Sequence, residues 1–139
     1  MADEGLEGVA RLMRRFDRMT PAVRAAVAPV VMEEARGMAD QIIRIAPYDP
    51  AEDDGQHVRD GVRVEEGRLG DISAVVISDA KDAEGRPKAP RVELGHMAAN
   101  GVQVPASPSF YPVVRASKKG VKKRIAAAAR KAIRKEAGL

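Results

Sequence analysis

The chain contains no cysteine and no tryptophan, and it has only four aromatic side chains in 139 residues: Phe16, Tyr48, Phe110 and Tyr111. Without cysteine there is no disulfide scaffold and no thiolate metal site, a composition that fits a reducing compartment. With so few rings, the core has to be aliphatic, built from Val, Ile, Leu, Met and Ala. No run approaches the roughly 18 apolar residues of a membrane span. The acidic start, MADEGLEGVARLMRRF, lacks the charged region and apolar stretch of a secretory signal. These absences predict a protein made in the cytoplasm with no membrane partner, and the length predicts one domain over 1–139.

Motifs of catalysis are missing as well. There is no Gly-x-Ser-x-Gly elbow, no phosphate-binding loop and no His-Glu-x-x-His. The two histidines, His57 and His96, lie near Asp60 and Glu93, so an acid–base pair is conceivable at either place, but neither stands in a recognisable constellation. An enzyme is therefore the least favoured class, and no cofactor is expected. Asp49, Glu52, Asp53 and Asp54 with His57 do not match a calcium loop, since Ala51 stands where an acid is required and the glycine falls one place late. A solvated acidic loop is expected instead, with folding indifferent to its acids.

What the sequence does have is charge, unevenly spread. The net charge is +4, but residues 115–139 hold ten lysines and arginines against Glu136, or +9, leaving −5 for the rest. An acidic body thus carries a basic tail.

Along the chain, Leu6, Val9, Leu12, Met13 and Phe16 form one apolar helical stripe. Thr20 and Pro21 signal a fresh helix start. A second stripe of Val23, Val27, Val30, Met38, Ile42 and Ile45 follows, with Pro29 predicting a kink or break near residue 28. Residues 46–56 are a loop. Val58, Val62 and Val64 then alternate with polar residues, DISAVVIS at 71–78 reads as a strand, RVELG at 91–95 as a third and GVQVP as a fourth. Residues 79–90 form a hairpin connection or a flap. Beyond Pro112, Val121, Ile125, Ala128, Ala129, Ala132 and Ile133 return to helical spacing. The expected architecture is α+β: helices over about 6–46, a small, mostly antiparallel sheet over about 58–104, and a basic amphipathic helix over about 113–137.

Two features of the C-terminal part invite function. Pro105, Pro108 and Pro112 stiffen a segment that displays Ser109, Phe110 and Tyr111. Those rings either plug the core and anchor the last helix or serve as anchors for a partner. The basic face, Lys118, Lys119, Lys122, Lys123, Arg130, Lys131 and Arg134, is a solvated surface, a sequence-neutral nucleic-acid contact, or a contact with an acidic face of a neighbouring subunit. Nothing suggests base readout.

The order of these pieces resembles the neck or tail-completion proteins of long-tailed phages, a family of head–tail joining components. In RIAPYDPAEDDGQHVRDGVRV an aliphatic helix ends in a hydrophobe-Pro, passes an acidic Gly-containing turn, and meets a strand through a Leu-Arg-Asp-Ser-Ile-like stretch. Ala46, Pro47, Asp49, Gly55, Val58, Arg59, Asp60 and Gly61 stand at those places. PRVELGHMAANGVQVPASPSFYPVVRAS resembles the family's Val-Glu-Phe-Gly-Thr turn, Pro-rich segment and Pro-Phe-Leu-x-Pro-Ala-like approach to the terminal helix. Val92, Glu93, Leu94, Gly95, Pro105, Pro108, Phe110, Pro112 and Ala116 carry that match. The chain departs from the pattern in the inserted PAEDD, in Leu94 and His96 around Gly95, and in its Ser-Phe-Tyr.

The resemblance covers about residues 20–135 and implies a non-enzymatic virion protein of a double-stranded DNA phage or gene-transfer particle. It would assemble in the host cytoplasm and act at the head–tail junction. It also implies a homo-oligomeric six-fold ring built by heterologous contacts, with other neck and tail proteins as partners and Glu93, Leu94, Gly95, Pro105, Pro108, Phe110, Tyr111 and Arg115 at the interface. On this reading the basic helix meets the next subunit's acidic face in preference to the packaged DNA. A tail-terminator ring is the other virion reading, and a small DNA-binding protein is the reading from a different class.

Overall fold

The computed structural model describes residues 20–138, so the expected helix over 6–18, with Phe16, lies outside the described residues. Helix α1, Pro21–Ile45, starts as the sequence predicts: Thr20 is its N-cap, accepting a hydrogen bond from the Val23 amide at 3.4 Å, and Pro21 stands in its first turn. Val23, Val27, Ala35, Ala39 and Ile42 form its buried face. Two of these are alanines, which an apolar stripe of large residues overlooks, whereas Ile45 at the stripe's end is 51% exposed.

Of the kink or break expected near residue 28, the break does not occur, and α1 runs uninterrupted through Pro29. Pro29 is exposed, so the carbonyl one turn back that loses its donor can be hydrated. Packing of α1 against the C-terminal helix and the first two strands holds the rod together.

Ala46 begins the loop. Val58–Gly61 then forms a 3-10 turn rather than the start of a strand. Strand β1, Val62–Gly67, pairs antiparallel with β2, Gly70–Ser78, in a register running from Val62 opposite Ser78 to Glu66 opposite Ala74, with an irregularity at Gly67. Arg24 of α1 fixes the hairpin tip, bonding Asp71 Oδ1 at 2.9 Å and the Leu69 carbonyl at 3.2 Å.

Where a third strand was expected over 91–95, the chain forms helix α2, Ala89–Leu94. Val-Glu-Leu suits a strand in isolation, but tertiary ties decide otherwise. Pro90 stands in the first helical turn, and the Lys88 side chain just before it is anchored by the loop, with Nζ at 3.0 Å from both Glu52 Oε1 and the Gln56 carbonyl. Gly95, at φ +77°, ends α2 where an added Cβ would lie 2.9 Å from the Val104 carbonyl oxygen. Strands β3, His96–Met97, and β4, Gln103–Val104, pair antiparallel. The expected single sheet is therefore two separate two-stranded ribbons, because α2 interrupts the pairing between them.

Helix α3, Phe110–Glu136, begins three residues before the boundary expected beyond Pro112. It runs antiparallel to α1: Thr20 bonds Glu136 at 2.7 Å, Arg124 grips Glu34, and Ser117 reaches Gln41 at 3.4 Å. Between the helices and the hairpin the core closes on Val23, Val27, Ile42, Val58, Ile72 and Val113. The architecture is α+β, with the basic helix at the C-terminal end.

Candidate functional site

The first turn of an α-helix leaves backbone N–H groups without intrahelical partners. At α3 these belong to Ser109, Phe110 and Tyr111, while Pro112, next in line, has none to offer. One side chain from α2 meets all three. Glu93 Oε2 accepts from the Ser109 and Phe110 amides at 2.8 and 3.2 Å, and Oε1 accepts from Tyr111 at 2.8 Å. A carboxylate also suits the positive end of the helix dipole. The proline-framed aromatic segment thus begins a helix whose N-terminal donors are satisfied by a glutamate 16 to 18 residues earlier.

This clamp draws the expected interface residues to one end of the molecule. Glu93, Leu94, Pro108, Phe110 and Tyr111 line a shared depression with Val114. Gly95 adjoins Ala106 and Pro105, and the Arg115 guanidinium lies 4.4 Å from the centre of the Tyr111 ring. The floor is apolar and open to solvent: Leu94 is 79%, Tyr111 61% and Val114 42% exposed. The two ring-bearing residues have divided roles, since Phe110 is half-buried and Tyr111 points outward. Val114 was missed by sequence reasoning, although its spacing of four from Phe110 places it on the same helical face. Met97 and Val102 of the β3–β4 ribbon are also exposed apolar residues.

The basic residues Lys118, Lys119, Lys122, Lys123, Arg130, Lys131 and Arg134 are all exposed on α3. Among the described residues, Arg124 alone of the helix's cations forms an ion pair, with Glu34, its Nη2 at 2.9 Å from Oε2. The hydrogen bond from Arg124 holds the Glu34 carboxyl below its ordinary value, outweighing partial desolvation. The same bond raises Arg124. The expected amphipathic face is only partly used. Val113 is the buried residue of α3, and Ile133 is 54% exposed.

The acidic loop is more than a solvated run. Glu52 is the counter-ion of Lys88, whose side chain is 7% exposed. Asp54 accepts from the Ala83 amide at 3.1 Å, and Gln56 and Lys81 exchange bonds at 2.9 and 3.2 Å. Gly55, at φ +76°, has the Lys81 carbonyl so close that an added Cβ would lie 2.4 Å from it. Residues 79–90, expected as a hairpin connection or flap, are therefore stitched to this loop. Their centre is Asp82, buried and accepting from the Glu84 and Arg86 amides at 2.9 Å, from the Arg86 side chain at 3.1 Å, and from Arg91. The backbone bond from Arg86, helped by the two guanidinium groups, lowers its carboxyl to about 2.

Neither conceivable acid–base pair forms. Glu93 is committed to the α3 amides, and Asp60 faces Arg59 at 3.8 Å. His57 instead stands edge-on to Tyr48, with ring centres 4.6 Å apart, and its Nδ1 is 3.5 Å from Glu52. No group of three or more His, Asp or Glu residues among the described residues is arranged to hold a metal ion, and no helix among them is long and apolar enough to cross a membrane. Compared with known proteins, the chain matches no family model, no curated protein and no solved structure.

Proposed function

We propose that this chain is a non-enzymatic structural component of the virion of a long-tailed double-stranded DNA phage or a gene-transfer particle. It acts at the head–tail junction as a subunit of a neck or tail-completion ring. The observation that carries this reading is the Glu93 clamp. The segments around Glu93 and Gly95 and around Phe110 and Pro112, whose order bears the resemblance to that family, meet through three hydrogen bonds and leave an exposed apolar depression between them.

Such a depression fits one half of a heterologous contact, in which a different surface of the next subunit fills it. Aromatic and apolar side chains in a rigid setting are the usual anchors of such contacts. Here the prolines before α3 and the capped first turn supply the rigidity. A six-fold ring is the closed arrangement implied by the resemblance.

The test is electron microscopy of particles made when the gene is interrupted, with complementation by the intact gene and by Leu94→Asp and Tyr111→Asp. Full heads beside separate tails, rescued by the intact gene and not by either variant, are expected. Normally joined particles without the gene would overturn the reading.

A further inference from the structure

The cations of α3 are ordered. Arg115, Lys119, Lys123, Lys131 and Lys135 succeed one another in steps of four, or twice that, and form one ridge inclined to the helix axis. Lys118, Lys122, Arg130 and Arg134 form the neighbouring ridge in the same way. Both ridges skip at the same level, where Ala126 and Ala127 replace the cation. The result is two exposed basic clusters with alanines between them. At the rise of an α-helix, their centres lie about 20 Å apart. In the C-terminal cluster, Arg130, Lys131, Arg134 and Lys135 surround a shallow depression over Ala127.

Among the described residues, a second copy of the chain offers this charge scattered acids, of which Glu33, Asp40, Asp49, Asp53 and Glu66 form no ion pair and the rest are engaged. Asp60, Glu65, Asp71, Asp79, Asp82 and Glu84 each already face an arginine of their own body. Glu52 holds Lys88, and Glu93 caps α3. About half of the body's described acids are engaged in this way, while among the described residues the α3 cations other than Arg124 form no ion pair. Duplex DNA matches better. Its major groove is about 12 Å wide, so the long side chains of clusters about 20 Å apart along the axis, and turned about a third of a revolution from each other around it, reach phosphates on opposite rims, with the small alanines over the groove.

We infer that the double basic ridge of α3 is a sequence-neutral seat for the phosphate backbones of duplex DNA. This does not depend on the neck reading, and it reverses the preference for a subunit contact attached to the family resemblance. Residues such as Gln, Asn or aromatics that would read bases are absent between the clusters, so contacts are to phosphate.

The test is fluorescence anisotropy of the full chain with labelled duplexes of two unrelated sequences over a range of salt. Equal affinities are expected for the two duplexes, falling about a hundredfold between about 50 and about 200 mM salt if about four phosphates are neutralised. Lys122→Ala/Lys123→Ala and Arg130→Ala/Arg134→Ala should each reduce the slope of log K against log salt by about 2, with helix content unchanged by circular dichroism. Absence of binding at low salt, or slopes that ignore both pairs, would overturn the inference. So would competition by polyglutamate equal to that of unlabelled duplex at matched charge, which would assign the ridge to an acidic protein. DNA binding by a chain whose loss leaves particles normally joined would keep this inference and discard the neck reading.

Discussion

Replacing Glu93 by alanine should destabilise the fold out of proportion to the size of the side chain removed. Three amides lose their acceptor at once, but their surroundings differ. Ser109 is 1% exposed, so its N–H is left with neither protein nor water, at a cost of about 1–3 kcal/mol. The amide of half-buried Phe110 is only partly rehydrated, and Tyr111 at 61% exposure regains water readily. Loss of a negative charge beside the helix N-terminus adds about 0.3–1 kcal/mol. The expected total is about 2–4 kcal/mol, at or above the upper end for an ordinary N-cap deletion.

Equilibrium urea unfolding followed by far-ultraviolet circular dichroism measures this directly, and the midpoint should fall by about 1–2 M. Glu93→Gln keeps the shape and one accepting oxygen but turns an amide NH2 towards N–H donors, so it should lose about half as much. Glu93→Asp keeps the charge but shortens the reach by one methylene, and should fall between wild type and alanine. A Glu93→Ala change within about 0.5 kcal/mol of wild type, the range of ordinary surface substitutions, would refute the claim that this carboxylate holds α3 in place.

Three further predictions probe the rest of the fold. Asp82 titrates near 2 when folded, against an ordinary value of 3.8, so its contribution is complete above about pH 4 and is lost as pH falls towards 2; stability against pH should be flatter over that window in Asp82→Asn, and unchanged acid sensitivity would contradict the assignment. Removing Glu52 leaves the Lys88 ammonium with only the Gln56 carbonyl, so Glu52→Ala should cost about 1–2 kcal/mol, less than a fully buried pair because Glu52 is 42% exposed; Asp53→Ala should be near neutral, Lys88→Met should recover much of the loss in the double variant, and equal effects of the two acids by urea unfolding would remove the distinction. Pro29→Ala restores a helical hydrogen bond at an exposed position and should stabilise by about 1–2 kcal/mol after allowance for the looser unfolded chain; a lower melting temperature would mean that the proline serves a packing role.

Local chemistry was legible in the sequence where it acts locally. Thr20 and Pro21 announce α1, the β-branched run at 71–78 announces β2, and the return of helical spacing announces α3. The failures share a cause, since in each a distant group decides. Pro29 did not break α1 because α3 and the hairpin brace it along its length. RVELG became helical because Lys88 is held by Glu52 and Glu93 is held by α3. The acidic loop looked merely solvated because its counter-ion, Lys88, is 36 residues from Glu52. The interface residues were named from motif order, yet Glu93's role was invisible, since a carboxylate that caps a helix from 16 residues away leaves no periodic trace.

Glu93 also links the two surfaces on which the functional proposals rest. The apolar depression contains Leu94, next to the clamp, and Tyr111 and Val114, one turn apart on α3. The basic ridges begin at Arg115 and continue down the same helix to Lys135. Orientation of α3 relative to α2 therefore sets where the cations stand relative to the apolar anchor. Beyond the clamp, half-buried Val121, Ile125, Ala128 and Ala132 of α3 lie along α1, flanked by polar ties: Arg124 on Glu34, Ser117 on Gln41, and Thr20 on Glu136. The last two are exposed and individually weak. A triply bonded N-terminus suits a helix whose start is gripped by a protein neighbour. The rest of the helix, laid along α1, then holds its cations at a fixed distance from that grip.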